Sequence, residues 1–455
     1  MTARSLATTL AALGFLLFLA ACQHSSTAPG APSSFLVDSD PQGATIYLDG
    51  TSQNKITPDS LLDVPAGNHT IGLLLDTAGI LYQFNAQTTI VPDSMPPIRW
   101  PLLLHCGDTT CLDPYIRRVT AAGMDFAVGA NGTLFFEQGS GGGLYYPAGS
   151  SQSYMSVGAP VSAGFLGTNT PSVGPSPYDF YYYAGRPAPD TVRAGGVYQI
   201  TQSSWLVPPP PYQQYLTGRG LKMDEQILTD EAYPGTVFLR IVFRNIMADT
   251  LYEMADPILY GTGGLTFENA YLGFAIDPDI GDATDDIVSY APGDDLVFAY
   301  DSNFQESGFA ADANAPALVG LEMLQAPAAA TIVMTGWPSS WDWAGASNSE
   351  ANALAFLSGT QPDTLTGAPN YPDPHIGYVP TAAADVRIAV TAGPINLAPG
   401  DSVVFRVALV IAPPVAGTFQ SGTFMAPGDP LNASRPIMSV AGNLIQRAQQ
   451  AASRP

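Results

Sequence analysis

The chain has 455 residues, 46 % of them hydrophobic, enough for two or three domains with substantial cores. Only 12 % are charged, and 39 acidic against 16 basic residues give a net charge of −23, which excludes a module that grips nucleic-acid phosphates through a basic face. With 45 Gly, 41 Pro, 21 Tyr and 20 Phe, the composition is that of short strands and long loops, not of a coiled coil or a polytopic membrane protein.

In residues 1–21, Arg4 precedes an apolar run from Leu10 to Leu19, then Ala20-Ala21 and Cys22. The run is shorter than the roughly 20 residues of a bilayer span, and its layout is that of a secretory signal. Leu19-Ala20-Ala21-Cys22 resembles the lipobox of bacterial lipoproteins, which implies acylation of Cys22 and loss of residues 1–21. In Gram-negative lipoproteins an Asp after the Cys retains the protein in the inner membrane; Gln23 stands there, so the resemblance implies the outer membrane. Several acyl chains on one residue anchor stably where one binds reversibly. An acidic chain repels anionic headgroups, so the lipid is its route to the membrane. Residues 22–33, rich in Ser, Thr, Pro and Gly, read as a flexible tether.

From 34 to 104 short apolar runs alternate with turn residues. Thr45-Ile46-Tyr47-Leu48 meets Asp49-Gly50, and Leu61 to Val64 meets Pro65-Ala66-Gly67-Asn68. Ser39-Asp40-Pro41-Gln42-Gly43-Ala44, Tyr47-Leu48-Asp49-Gly50, Thr57-Pro58 and Val64-Pro65-Ala66-Gly67-Asn68-His69 resemble a PEGA domain, with Gln42 in the place of the name-giving Glu. The resemblance implies a small all-β module of exported and cell-surface proteins, for which saccharide or envelope-polymer binding has been proposed. His69 reads as a strand residue facing its neighbours.

Pro96, Pro97 and Pro101 mark a boundary near 105. In His105-Cys106-Gly107-Asp108-Thr109-Thr110-Cys111 an exported chain is expected to close a disulfide between Cys106 and Cys111; the alternative is a metal site of both thiolates and His105, which lacks a local fourth ligand.

Residues 105–455 read as a β-sandwich-like body of one or two subdomains. Thr236 to Arg244 alternates, with Val237, Leu239, Ile241 and Phe243 on one face and Arg240 and Arg244 on the other. Ser402 to Ile411 places Val403, Phe405, Val407, Leu409 and Ile411 inward. Leu296–Tyr300, Thr331–Thr335 and Val386–Val390 are shorter strands. Helices are expected over Glu350–Leu357, capped by Ser349 and stopped by Gly359, and over Met438–Ala452, with Val440, Ala441, Leu444, Ile445 and Ala448 on one face. The fold class is mainly β: a small PEGA-like module, then a large sandwich-like body closed by a C-terminal helix.

Asp277-Pro278-Asp279-Ile280-Gly281-Asp282-Ala283-Thr284-Asp285-Asp286 carries five carboxylates in ten residues. Such a loop is either solvated or neutralised by a hard cation, and Ca²⁺ suits oxygen ligands in flexible geometry. It is no EF-hand, because the twelfth position from Asp277 is Val288. The expected Ca²⁺ ligands are Asp277, Asp279, Asp282, Asp285 and Asp286, with Gly281 allowing the turn, and the role structural.

The strand around Phe238–Asn245, this acidic run, Asp294-Asp295, Tyr300-Asp301, Ala315 to Gly320, Asp385-Val386-Arg387 and Gly393 to Ser402 follow one another as in a family of long exported proteins of Bacteroidota-like and related bacteria. That resemblance, over roughly 120–450, implies a surface or secreted protein and no particular activity.

No catalytic motif accompanies the four histidines, and the glycine-rich Gly139–Gly143 lacks the Lys-Ser/Thr that grips phosphate. Trp337, Trp341 and Trp343 could form a saccharide platform, or else anchor core and loops. The expected role is therefore non-catalytic, binding or structural, at the cell envelope. Its partners are the membrane through the lipid, and envelope polysaccharide or other surface proteins. The rivals are a saccharide-binding accessory protein and a glycoside hydrolase, the latter needing two facing acids.

Overall fold

The computed structural model describes most of residues 32–454. Residues 1–31, 92–96, 105–116, 130–133, 136–142, 175–179, 183–189, 207–219, 250–260, 310–314, 339–349, 360–372, 426–431 and further stretches of one to three residues fall outside it. Cys22 and its lipobox, the tether to residue 31, His105, Cys106, Cys111, Trp341 and Trp343 therefore lie outside the described residues. Among the described residues no helix is long and apolar enough to cross a membrane.

The fold is mainly β. In chain order the first strands are β1 (Ser33–Asp40), β2 (Thr45–Leu48), β3 (Thr51–Ile56), β4 (Asp59–Val64), β5 (Gly67–Thr77), β6 (Ile80–Ile90), β7 (Ile98–Pro101) and β8 (Leu103–Leu104). They form two small sheets, ordered β4-β1-β7 and β3-β2-β5-β6-β8. Asp49 and Gly50 both have positive φ, 51° and 77°, the backbone of the tight hairpin turn that Asp-Gly announces. Thr57 explains its own place in the motif: its buried hydroxyl accepts from the amides of Gly43 (3.1 Å) and Ala44 (3.0 Å) and meets Ser39 Oγ at 2.5 Å. Gln42 donates from Nε2 to both oxygens of Asp38, a carboxylate that a Glu there would repel. His69 does face its neighbours, with Nδ1 2.7 Å from Asp49 Oδ2 and Nε2 3.0 Å from the Pro65 carbonyl.

The body adds β9 (Arg117–Ala121), β10 (Met124–Val128), β11 (Leu144–Tyr145), β12 (Met155–Leu166), β13 (Thr170–Gly174), β14 (Phe180–Tyr182), β15 (Asp190–Ala194), β16 (Val197–Leu206), β17 (Leu221–Asp230), β18 (Thr236–Asn245) and β19 (Phe267–Pro278). There follow β20 (Asp286–Ala291), β21 (Leu296–Asp301), β22 (Leu318–Gln325), β23 (Thr331–Pro338), β24 (Val386–Leu397) and β25 (Ser402–Ala412). One sheet runs β13-β12-β19-β24-β23; the larger runs β14-β16-β17-β18-β25-β22-β21-β20, with β15 also paired to β16. Their inner faces share one core. Val237, Leu239, Ile241 and Phe243 of β18 and Phe405, Val407, Leu409 and Ile411 of β25 meet Phe274, Ile276, Ile388 and Val390 of the smaller sheet. Strand period two produces this, with Arg240 and Arg244 left exposed on the opposite face. Val403, read as inward, is only partly buried at the strand's start.

Both outer faces carry helices, so the body has four layers. Helix α1 (Glu350–Ser358) lays Phe356 and Leu357 on Val161, Ala163 and Ala389 of the smaller sheet. Its last carbonyls are met by Thr335 Oγ1 (to Phe356 O, 3.0 Å) and Thr391 Oγ1 (to Leu357 O, 2.6 Å), and Gly359 ends it. The expected single C-terminal helix is two, α2 (Pro436–Val440) and α3 (Gly442–Ala452), because the backbone leaves helical geometry at Ala441 (φ −77°, ψ 3°). Ile437, Val440, Leu444, Ala448 and Ala451 cover Phe238, Leu318, Ala408 and Val410 on the outer face of the larger sheet.

Candidate metal centre

The acidic run connects β19 to β20. Asp277 is the penultimate residue of β19, a 3₁₀ turn spans Ala283–Asp285, and Asp286 opens β20. Across the β20–β21 hairpin, Asp286 pairs in register with Asp301. Two carboxylate groups result. In each, one ligand oxygen per residue lies within 4.8 Å of the others: Asp277, Asp279 and Asp385, and Asp285, Asp301 and Glu306. Of the sequence-expected set, Asp277 and Asp279 fall in the first group and Asp285 in the second, Asp282 and Asp286 belong to neither, and three partners (Asp301, Glu306 and Asp385) come from elsewhere in the chain.

The first group has an internal counter-charge. Arg387, two residues after Asp385 on β24, places Nε 3.1 Å from Asp277 Oδ2, both side chains largely shielded.

Asp285 and Asp301 of the second group, and Asp286 beside them, each have one oxygen held and the other bare. Asp285 Oδ2 accepts from Ser302 Oγ (3.1 Å) and Asn303 Nδ2 (2.9 Å), while its Oδ1 is buried without a partner. Asp301, fully buried, accepts at Oδ1 from the amides of Asn303 (3.0 Å) and Gln305 (3.2 Å), while Oδ2 has none. Asp286, also fully buried, accepts at Oδ2 from the Ile280 amide (3.0 Å), while Oδ1 has none. The Asn303 side-chain carbonyl is buried and unpartnered as well. Glu306 is held by the Asp282 amide and leans on Asp301. Beneath it Gly281 has φ +79°, and a Cβ there would lie 2.2 Å from Glu306 Cγ.

Buried carboxylates without counter-charge resist ionisation. Burial first, then Asp285, push Asp301 up to about 7; burial raises Asp286 well above the ordinary range and also raises Glu306. Asp282 is not part of either group. Its side chain accepts from Thr284 N (3.1 Å) and Thr284 Oγ1 (2.7 Å), capping the 3₁₀ turn, and these bonds lower its pKa. The other end of the hairpin holds a third acid: Glu322 is buried, with Oε2 unpartnered, and burial followed by Asp294 and Asp295 pushes it up to about 8. His375 Nδ1 lies 4.0 Å from Asp295 Oδ1 there.

Trp337 corrects the saccharide platform. It is wholly buried, its ring stacked on Phe356 of α1 at 5.6 Å, so no sugar face can reach it. The reason is its place on β23, on the sheet face that α1 covers.

Residues 33–77 match the PEGA domain, so a PEGA domain forms the first strands, β1 to β5. No curated protein matches the chain. Among solved structures, a putative kojibiose phosphorylase from the human microbiome is similar at a TM-score of 0.31 and 7 % identity, over 74 % of this chain and 33 % of its own. A mutant of the heparan sulfate lyase HepC from Pedobacter heparinus gives a TM-score of 0.22 and 8 % identity, over 76 % and 35 %. The chain spans about a third of the length of each. At such scores the likeness assigns no activity.

Proposed function

We propose that this chain is an outer-membrane lipoprotein of the cell envelope, held by acylated Cys22, with a non-catalytic binding or structural role. The observation that carries the reading is the PEGA domain at 33–77, which begins a short tether beyond the lipobox cysteine. Modules of this kind belong mostly to exported and surface proteins, and the order of motifs from 120 to 450 resembles an exported family. In this reading 34–104 and 105–455 are separate units, the first presenting a β surface to envelope polysaccharide or another surface protein. The second is a rigid body, stiffened by Ca²⁺ at the acidic segment, whose uncompensated carboxylates support a hard cation.

Membrane fractionation of wild type and Cys22→Ala tests the anchor. The wild type is expected in the membrane pellet with radiolabelled fatty acid, and Cys22→Ala in the soluble fraction without label. A variant that still pellets and labels would overturn the localisation.

A further inference from the structure

We infer that Asp285, Asp301, Glu306 and the side-chain carbonyl of Asn303 form one Ca²⁺ site, and that its ion fixes the turn on which residues 421–425 dock. This rests on the Ca²⁺ reading above but differs from the ligand set that the sequence offers, since Asp277 pairs with Arg387, Asp282 caps its own turn and Asp279 lies in the first group.

Three observations select the second group. First, Arg387 already faces the first group, whereas no Lys or Arg among the described residues pairs with Asp285, Asp301, Asp286 or Glu306. Second, the bare oxygens are buried. Asp301 is fully enclosed with Oδ2 unpartnered, and beside it Asp285 Oδ1 and Asn303 Oδ1 are equally bare. A buried acceptor left unmade costs its full desolvation, and bare oxygens on three neighbouring acids, Asp285, Asp286 and Asp301, with no Lys or Arg among the described residues paired to them, are the environment that a bound cation would satisfy. Third, the spacing fits. Oxygens within 4.8 Å of one another are close enough for small side-chain shifts to bring them onto one ion at about 2.4 Å, the Ca²⁺–oxygen distance. Asp286 stands behind them as an additional negative charge.

The turn itself explains what the ion would hold. Phe304 has a left-handed φ of 52°, an uncommon conformation for a bulky residue, and packs between Tyr300 (5.7 Å, stacked) and Phe419 (5.0 Å). On its outer side the Gly422 amide donates to Asn303 O and the Met425 amide to Ser302 O, each at 2.8 Å. Tyr300 Oη donates to Met425 O at 3.1 Å. Fixing Asp301, Asn303 and Glu306 on one ion therefore fixes the backbone that receives the segment before α2.

The test uses the EDTA-treated full chain, titrated with Ca²⁺ by calorimetry and followed by melting and by amide hydrogen exchange. Asp301→Asn with Glu306→Gln keeps the shapes and removes like-charge repulsion, so this variant is expected to melt no lower than wild type in EDTA. It should lose the Ca²⁺-induced rise in Tm, and its Ca²⁺ affinity should fall by more than the roughly ten- to hundredfold that an outer-sphere partner is worth. Asp277→Asn with Asp385→Asn should bind Ca²⁺ as wild type does. Ca²⁺ should slow exchange at Gly422 and Met425 in wild type and in the Asp277/Asp385 variant, and leave it unchanged in the Asp301/Glu306 variant. Binding that survives in the Asp301/Glu306 variant and fails in the Asp277/Asp385 variant would overturn this ligand set and leave the Ca²⁺ reading standing. Binding without slowed exchange would overturn the docking role. No binding to wild type would overturn both readings and leave a proton shared by Asp301 and Glu306 as the neutraliser.

Discussion

Two groups of three carboxylates flank the same short connection, and they are neutralised by different means. The group of Asp277, Asp279 and Asp385 has Arg387 within hydrogen-bonding distance of Asp277; Asp285, Asp301 and Glu306 have amides, a hydroxyl and one another. A chain with 16 basic residues for 39 acidic ones leaves most carboxylates without a cation of its own. Where they are exposed, water answers. Where strand pairing buries them, as it buries Asp286 against Asp301, the charge must be met by a guanidinium, a proton or a metal. The comparison teaches that acid density in a sequence says little about a metal site; what counts is which acids are buried and lack an internal counter-charge.

The largest expected effect comes from erasing that difference. Arg387→Met leaves Asp277 shielded without its guanidinium, and breaking one side of a buried pair costs about 3–5 kcal/mol; some remaining exposure of both side chains places the expected loss near the lower figure. Urea unfolding at pH 7 in EDTA measures it. The first group would then resemble the second, so Ca²⁺ should recover part of the loss in the variant. A variant as stable as wild type would show that the ion pair does not neutralise the group.

A second way to sharpen the comparison uses Glu322 at the opposite end of the hairpin, away from either group. Its folded pKa of about 8 exceeds its ordinary 4.5, so the folded state binds more protons between those values. The contribution to stability is therefore complete below about pH 4.5 and is lost as pH rises through about 8. Glu322→Gln removes the titration. The difference between variant and wild type should be near zero at pH 4 and should grow to a few kcal/mol in favour of the variant by pH 9. Urea midpoints across that range check it, and a flat difference would mean that the carboxyl finds a donor as it ionises.

Much of the fold was legible because strand burial follows period two. Val237, Leu239, Ile241 and Phe243 point inward as their spacing requires. The outer helix layer was half legible. Val440, Leu444 and Ala448 announce an apolar face, and the unbroken apolar run Val407 to Ala412 shows that its strand is covered on both sides, as Ala408 and Val410 prove to be. The candidate site was legible only in its location. Arg387 on β24 and Asp385 just before it reach it from about a hundred residues away, and Glu306 from the exit of β21, by pairings that no local pattern encodes. Asp282 looked like its neighbours but is used by its own turn through Thr284. Trp337 took the core-anchoring one of its two readings, and the sequence could not choose between them because an indole on a strand carries no mark of which face a distant helix will cover.

The smallest expected effect is the one that separates Glu306 as a ligand from Glu306 as packing. Gly281→Ala places an L side chain at φ +79°, a conformation that costs about 1–2 kcal/mol, and drives Cβ into the Glu306 stem. Gly293, in the 3₁₀ turn at the other end of the same hairpin, has open space around its would-be Cβ and an ordinary φ. Gly293→Ala should therefore stay within about 0.5 kcal/mol of wild type in any buffer. If Glu306 only packs, Gly281→Ala costs the same in EDTA as in Ca²⁺. If it binds the ion, the displaced carboxylate adds a loss that exists only with Ca²⁺ present, and the gap between the two glycine variants should widen on adding the metal. Equal gaps in both buffers would remove Glu306 from the site while leaving Asp285 and Asp301 in it.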